Sequence, residues 1–384
     1  MNIKKFAALG AAFGVVIAGF GATSAAQADP VTDGYSIVGS DTLQDAVSAL
    51  ANGTTITGAS VKVTGAGKAL ASWDAFALGI SGGVGSIQTK PFGPTFPRPA
   101  GSGDGRNSLL ASAGGINPSS PSYTWNGINV QNQVDLARSS SVSGTAGTTL
   151  TYVPFGQDAI GYVYKIGNAT GTADAAAAKA VVEDLTKAQL TAIYSASTSA
   201  AASSALSGTG FSLKPLALQS SSGTWTTFLG KIGVSSVGDA VDKRGNTIPE
   251  NDGRVLTPAD NEIQIVPLSI ANYIGQVNGA ARINTMAGVT AGAIGGVAPY
   301  TGTAPALVPS TSYYNSADWG RTVYIVVPTA KLATDSGLAS LVDTTSPSSL
   351  TYWNTGITLP NSSKAVKIKF GFSAPTGTTV TRNG

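Results

Sequence analysis

The chain reads as an α/β protein of two lobes, and three observations predict it. Short apolar, β-branched runs alternate with helical patterns along most of its length, which favours a mostly parallel sheet with covering helices. At 384 residues the chain exceeds what a single core usually supports. It holds no Cys, so no disulfide substitutes for a large apolar core.

In chain order, residues 1–28 have the parts of a secretory signal peptide. Lys4 and Lys5 form the basic start, Phe6 to Phe20 the apolar run, and Ala26-Gln27-Ala28 an A-x-A cleavage site. Asp29 is expected to begin an exported mature chain of roughly 356 residues. No Cys follows the apolar run, so a lipid anchor is not expected.

The expected strands are Tyr35 to Val38, Ile160 to Tyr164, Ile263 to Val266 and Val323 to Val327. The expected helices are Thr42 to Leu50, Ala173 to Leu185, Lys187 to Tyr194, Thr226 to Ile232 and Ile270 to Val277. Gly, Ser and Thr clusters at 81–86, 139–149 and 195–210 read as loops.

Composition removes several function classes. Charged residues make up only 11% of the chain, against the clustered Lys and Arg that a nucleic-acid partner needs. There is no His, which removes the commonest general base and zinc ligand. Gly79-Ile80-Ser81-Gly82-Gly83 matches a hydrolase nucleophile elbow, but no His stands ready to take the proton from Ser81, and no Ser-x-x-Lys substitutes for it. No catalytic residue, metal ligand or cofactor is therefore expected. A passive surface protein is a second reading, suited by the abundance of small residues.

The chemistry concentrates in three small-residue loops, each before a helical pattern. They are Gly39-Ser40-Asp41-Thr42, Gly101-Ser102-Gly103-Asp104-Gly105-Arg106 and Ser220-Ser221-Ser222-Gly223-Thr224. Backbone N–H groups at a helix start suit an oxyanion, Gly permits close approach, and Ser or Thr adds a hydroxyl donor. Taken singly, each loop is also an ordinary N-cap.

With Val134-Asp135-Leu136-Ala137-Arg138-Ser139-Ser140, Tyr152-Val153-Pro154, Leu185-Thr186, Gln189-Leu190, Ile193-Tyr194, Phe228, Val323-Tyr324 and Val327-Pro328, these loops follow the order seen in another group of proteins. The chain resembles the phosphate-binding components of ABC transporters, in particular a secreted Gram-positive branch. The resemblance implies a two-lobed Venus-flytrap fold of the periplasmic-binding type 2, in which one cleft holds the ligand. Lobe I would comprise residues 29–155 and 278–384, and lobe II residues 156–277, with crossings near Tyr152 to Phe155 and Gln276 to Asn278. The implied ligand-binding residues are Ser40, Asp41 and Thr42; Ser102, Gly103 and Asp104; Ser139 or Ser140; and Ser222, Gly223 and Thr224. A small anion, phosphate, would be the ligand, a transporter permease the partner, and the protein a monomer. Three positions depart from the family. Ser140 stands where an Asp is usual, Leu218 where an Arg is usual, and Ser220 where an acid is common. Asp41 or Asp104 would then supply the acceptor, and Arg98, Arg106 or Arg138 the cation.

Overall fold

A computed structural model describes residues 30–76, 85–142, 144–356 and 358–384. The signal segment and the Gly79 to Gly83 motif lie outside the described residues. Among those described, no helix is long and apolar enough to cross a membrane.

One mixed sheet of ten strands runs through the molecule. Its main strands are β1 (Tyr35–Gly39), β2 (Lys68–Ser72), β3 (Leu136–Ser139), β4 (Thr145–Ile166), β5 (Ser212–Pro215), β6 (Glu262–Ser269), β7 (Gly320–Pro328) and β8 (Val380–Asn383). The order across the sheet is β5-β6-β4-β7-β3-β1-β2, with β8 also on β4. β1 pairs in parallel with β2 and β3, and β5 with β6. The middle is antiparallel, since β4 runs against β6 and β7, and β7 against β3. The expected mostly parallel sheet is thus replaced by a mixed one, because β4 runs straight on as a 22-residue strand where the sequence suggested a loop at 139–149 and a separate strand from Ile160.

Three apolar clusters divide this sheet into two lobes. In the first lobe, neighbouring residues of a strand enter cores on opposite faces, as strand geometry requires. Ile37, Val153 and Ile325 fill one core, while Val38, Tyr152 and Val326 fill the other. The second lobe has its own core, built on Ile160, Tyr162, Ile263 and Ile265 of the same sheet. Its helices are amphipathic or Ala-rich segments close to those expected: α3 (Ala175–Val182), α4 (Lys187–Ser195), α5 (Gly223–Ile232) and α6 (Ile270–Val277). α4 opens with a capping box between Thr186 and Gln189, which satisfies backbone donors that would otherwise be orphaned. The 195–210 stretch is not all loop, since Ser199–Ala202 forms a helical turn capped by Thr198.

Along β4, Phe155 packs in a first-lobe core and Ala159 in the second-lobe core. At that point Lys367, fully buried, donates through Nζ to the carbonyls of Phe155 and Leu350, both at 2.9 Å, and lies over the Trp353 ring. Burial holds its amine well below the usual lysine range. Near the expected return the chain touches both cores. Ala271 of α6, Ala280 and Ala281 pack against the first lobe, while Ile270, Tyr273 and Ile274 of α6 and then Met286, Val289, Leu307, Tyr313 and Trp319 pack in the second.

Candidate functional site

Each of the expected loops does open a helix. A short 3₁₀ turn, Asp41–Leu43, leads into α1 (Gln44–Asn52), and Gly101 precedes α2 (Ser102–Ser112). Ser222 caps α5, its hydroxyl accepting from the Trp225 N–H at 2.9 Å. Ser40 does the same for the Thr42 N–H at 3.3 Å. These two serines thus stabilise the loops, each cap typically contributing about 1 kcal/mol.

The loops meet where the two lobes touch, in two adjacent groups. In the first, Ser102 Oγ lies 3.0 Å from Ser140 Oγ and accepts from the Ser140 N–H at 2.9 Å. A Cβ on Gly223, from the opposite lobe, would stand 2.4 Å from Ser140 Oγ and 2.6 Å from Ser102 Oγ. Only Gly fits there. The Gly103 N–H does not face outward as a free donor, because it donates to the Ser221 carbonyl at 3.3 Å, while Ser221 Oγ donates to the Ala100 carbonyl at 2.7 Å.

In the second group Thr42 and Thr224 reach each other from the two lobes, their hydroxyl oxygens 3.3 Å apart. Both donate to one oxygen of Glu250, Oε2, at 3.1 and 2.8 Å. Both also accept from Arg321 Nη2, at 3.4 and 2.9 Å. Strand register sets Arg321 of β7 directly opposite Asp158 of β4. Asp158 Oδ2 accepts from Arg321 Nε at 3.0 Å and Nη2 at 2.8 Å. Its other oxygen accepts from Ser269 Oγ and from the Ala271 N–H, at 2.9 and 3.0 Å. Every lone-pair direction of that buried carboxylate facing the sheet is therefore used, which fixes the guanidinium from behind.

Several polar atoms of this group have no hydrogen-bond partner among the described residues. They are Arg321 Nη1 and, apart from the hydrogen bond that the Asp41 and Glu250 carboxyls make to each other, Glu250 Oε1 and the carboxyl oxygens of Asp41. Burial first, and then the Glu250 charge, pushes the Asp41 carboxyl well above the usual carboxylate range. A cleft of about 690 Å³ opens beside these groups, lined from the first lobe by Asp41, Asp45 and Asp74 and from the second by Glu250, Asp252 and Arg254.

The remaining expected residues lie elsewhere. Ser139 turns its hydroxyl to the Ser141 carbonyl at 2.6 Å, so Ser140 is the member of that pair brought into the site. Asp104 sits half-buried on the first turn of α2, its carboxyl raised by burial, and makes no bond to the Thr42 and Thr224 group. None of the three expected arginines supplies the cation there. Arg138 is fully buried and spends its donors on the carbonyls of Ile37, Gly39, Ser40 and Trp73 and on Ser72 Oγ. Arg106 is bonded to Asn107 on the surface, and Arg98 donates to the Asp74 carbonyl.

The sequence reading missed Arg321, Asp158 and Glu250. Arg321 reads as a solvated strand end, and Glu250, between Pro249 and Asn251, as a surface turn. Asp158 carried a usable signal, since Gln157-Asp158 interrupts a run that is otherwise apolar and buried.

Fold and site together define a two-lobed α/β protein with a buried polar site between its lobes, built on Arg321, Asp158 and Glu250. No family model and no curated protein matches the chain. Among solved structures it is similar to an ABC-type phosphate transport receptor from Vibrio cholerae, at 15% identity over 89% of this chain and 100% of that one, with a TM-score of 0.46. It is also similar to a phosphate ABC transporter substrate-binding protein with bound phosphate from Clostridium perfringens, at 15% identity over 80% of this chain and 90% of that one, with a TM-score of 0.41. What the site can hold is decided by its own residues.

Proposed function

We propose that the protein is an exported solute-binding protein, not an enzyme, that holds a small oxyanion, phosphate, between its lobes and delivers it to a membrane permease of the ABC type. The observation that carries this reading is the arrangement at Arg321. A buried guanidinium, clamped by Asp158, meets one hydroxyl from each lobe and keeps Nη1 without a partner. An anion at that point would collect donors from both lobes at once, so binding would draw the lobes together. Arg321, on β7, would take the part for which the apolar Leu218 is unsuited. The order of the loops and the presence of Ser140, Ser102 and Gly223 beside them support the same reading.

Substitution of Thr224 tests it. A hydrogen bond to a charged group contributes roughly 1.5–3 kcal/mol. Thr224→Ala should therefore lower phosphate affinity by about one to two powers of ten in calorimetry, using protein stripped of bound solute by unfolding and refolding. Wild-type protein that binds neither phosphate nor another small oxyanion would overturn the proposal.

A further inference from the structure

The carboxylate of Glu250 stands where the two lobes aim their hydroxyls. Its Oε2 accepts from Thr42 of one lobe and Thr224 of the other, and both hydroxyls are in turn held by Arg321 Nη2. Each hydroxyl has a single proton to donate, so a bond to Glu250 and a bond to an incoming oxyanion exclude each other. Charge leads to the same point. The guanidinium at the hydroxyls is Arg321, with three buried carboxyl groups around it, Asp158, Glu250 and Asp41, while a second buried guanidinium, Arg138, acts by its charge on Asp41. Asp158 already balances the guanidinium, so a second anion placed beside Glu250 would be repelled at close range in a medium that screens poorly.

Resting on the oxyanion reading above, we infer that Glu250 is an internal stand-in for the ligand: its carboxylate occupies the anion position, and an external oxyanion binds by displacing it into the adjoining cleft. The movement proposed is a rotation of the Glu250 side chain into the cleft it already lines. The backbone at Asn251 is anchored, its carbonyl accepting from Gln276 Nε2 at 2.8 Å and its side-chain oxygen from the Ser269 N–H at 3.1 Å. Glu250 itself lines the cleft, and the one further bond its carboxylate makes among the described residues is with the Asp41 carboxyl on the same cleft wall. Measured affinity is then the intrinsic affinity reduced by the fraction of molecules in which Glu250 has left. The device would raise the concentration at which the site fills, by the reciprocal of that fraction, without changing the shape of the binding curve.

The experiment is calorimetric titration of inorganic phosphate into stripped wild type, Glu250→Ala and Glu250→Gln at one pH. Removing the competitor should tighten phosphate binding by roughly tenfold or more in E250A. The gain should be smaller in E250Q, whose uncharged oxygen still accepts from the hydroxyls. E250Q also carries the test if E250A does not fold. Damage to the fold would weaken binding, so tightening is a readout that a merely structural Glu250 would not produce. Wild type that binds phosphate, with variants equal or weaker, overturns the stand-in and leaves the oxyanion reading intact. Phosphate bound by none of the three overturns the oxyanion reading, and the stand-in with it.

Discussion

Arg321 and Asp158 show how little a residue type says about its role before its neighbours are known. Their residues are paired across two strands, and the pair is almost fully buried, at 5% and 0% side-chain exposure. Breaking such a pair by removing one partner is costly, because the other charge is left uncompensated. Asp45, on the wall of the cleft, offers a check on electrostatics. Burial first, and the Asp74 charge second, push its carboxyl up to about 6 from an ordinary 3.8. The folded protein therefore keeps a proton that the unfolded chain has already released. Below pH 3.8 both states hold the proton and Asp45 changes nothing. As pH rises from there through 6 the folded state loses ground, and above that the loss is constant. At about 1.36 kcal/mol per pH unit, wild type should lose roughly 2 kcal/mol relative to Asp45→Asn between pH 4 and 7. Urea unfolding of both proteins across that range measures it. A wild type that gains on the variant would show the sign to be wrong.

At the scale of elements, the helix starts were legible and their surroundings were not. Thr42, Ser102 and Thr224 all stand at helix starts, as their loops suggested. Small residues at Gly101 and Gly223 reflect the approach of the opposite lobe as much as any ligand. Gly223→Ala tests this. Gly223 is the first residue of α5 and has no left-handed backbone, so within its own lobe Ala is the better helix former. The clash lies across the cleft, at Ser140 and Ser102. Overpacking of this kind costs roughly 1–3 kcal/mol, here levied on closure alone. Phosphate affinity should fall by about tenfold or more, and Ser140→Ala in the same chain should recover part of it by removing the nearer oxygen. Unchanged affinity in G223A would mean that the lobes need not meet there.

For the whole molecule, β4 is the element that joins everything. It runs unbroken from the first lobe to the second, with β7 alongside it from Leu150 to Ala159 and β6 from Ile160 to Ile166. Two cores built on one continuous strand should not melt independently. Calorimetry of the ligand-free protein should show a single transition, and phosphate at about a hundredfold excess over its dissociation constant should add roughly 2.7 kcal/mol to it. Two separated transitions, only one of them moved by phosphate, would contradict the shared-strand account.

By itself the sequence determined the local facts: which runs make strands, which loops open helices, and that no His or Cys chemistry is on offer. These follow from periodicity, capping and composition, which act over a few residues. Only the tertiary structure decided that the sheet is mixed, that Met286 to Trp319 pack largely in the second core, and that Arg321 and Glu250 both meet Thr42 and Thr224. Thr42 and Glu250 are 208 positions apart, and Thr42 and Arg321 are 279. Neither pair leaves a mark on spacing, because a polar side chain meets its partner through the packing of two lobes, and a turn such as Pro249-Glu250-Asn251 reads the same whether it faces water or a buried guanidinium.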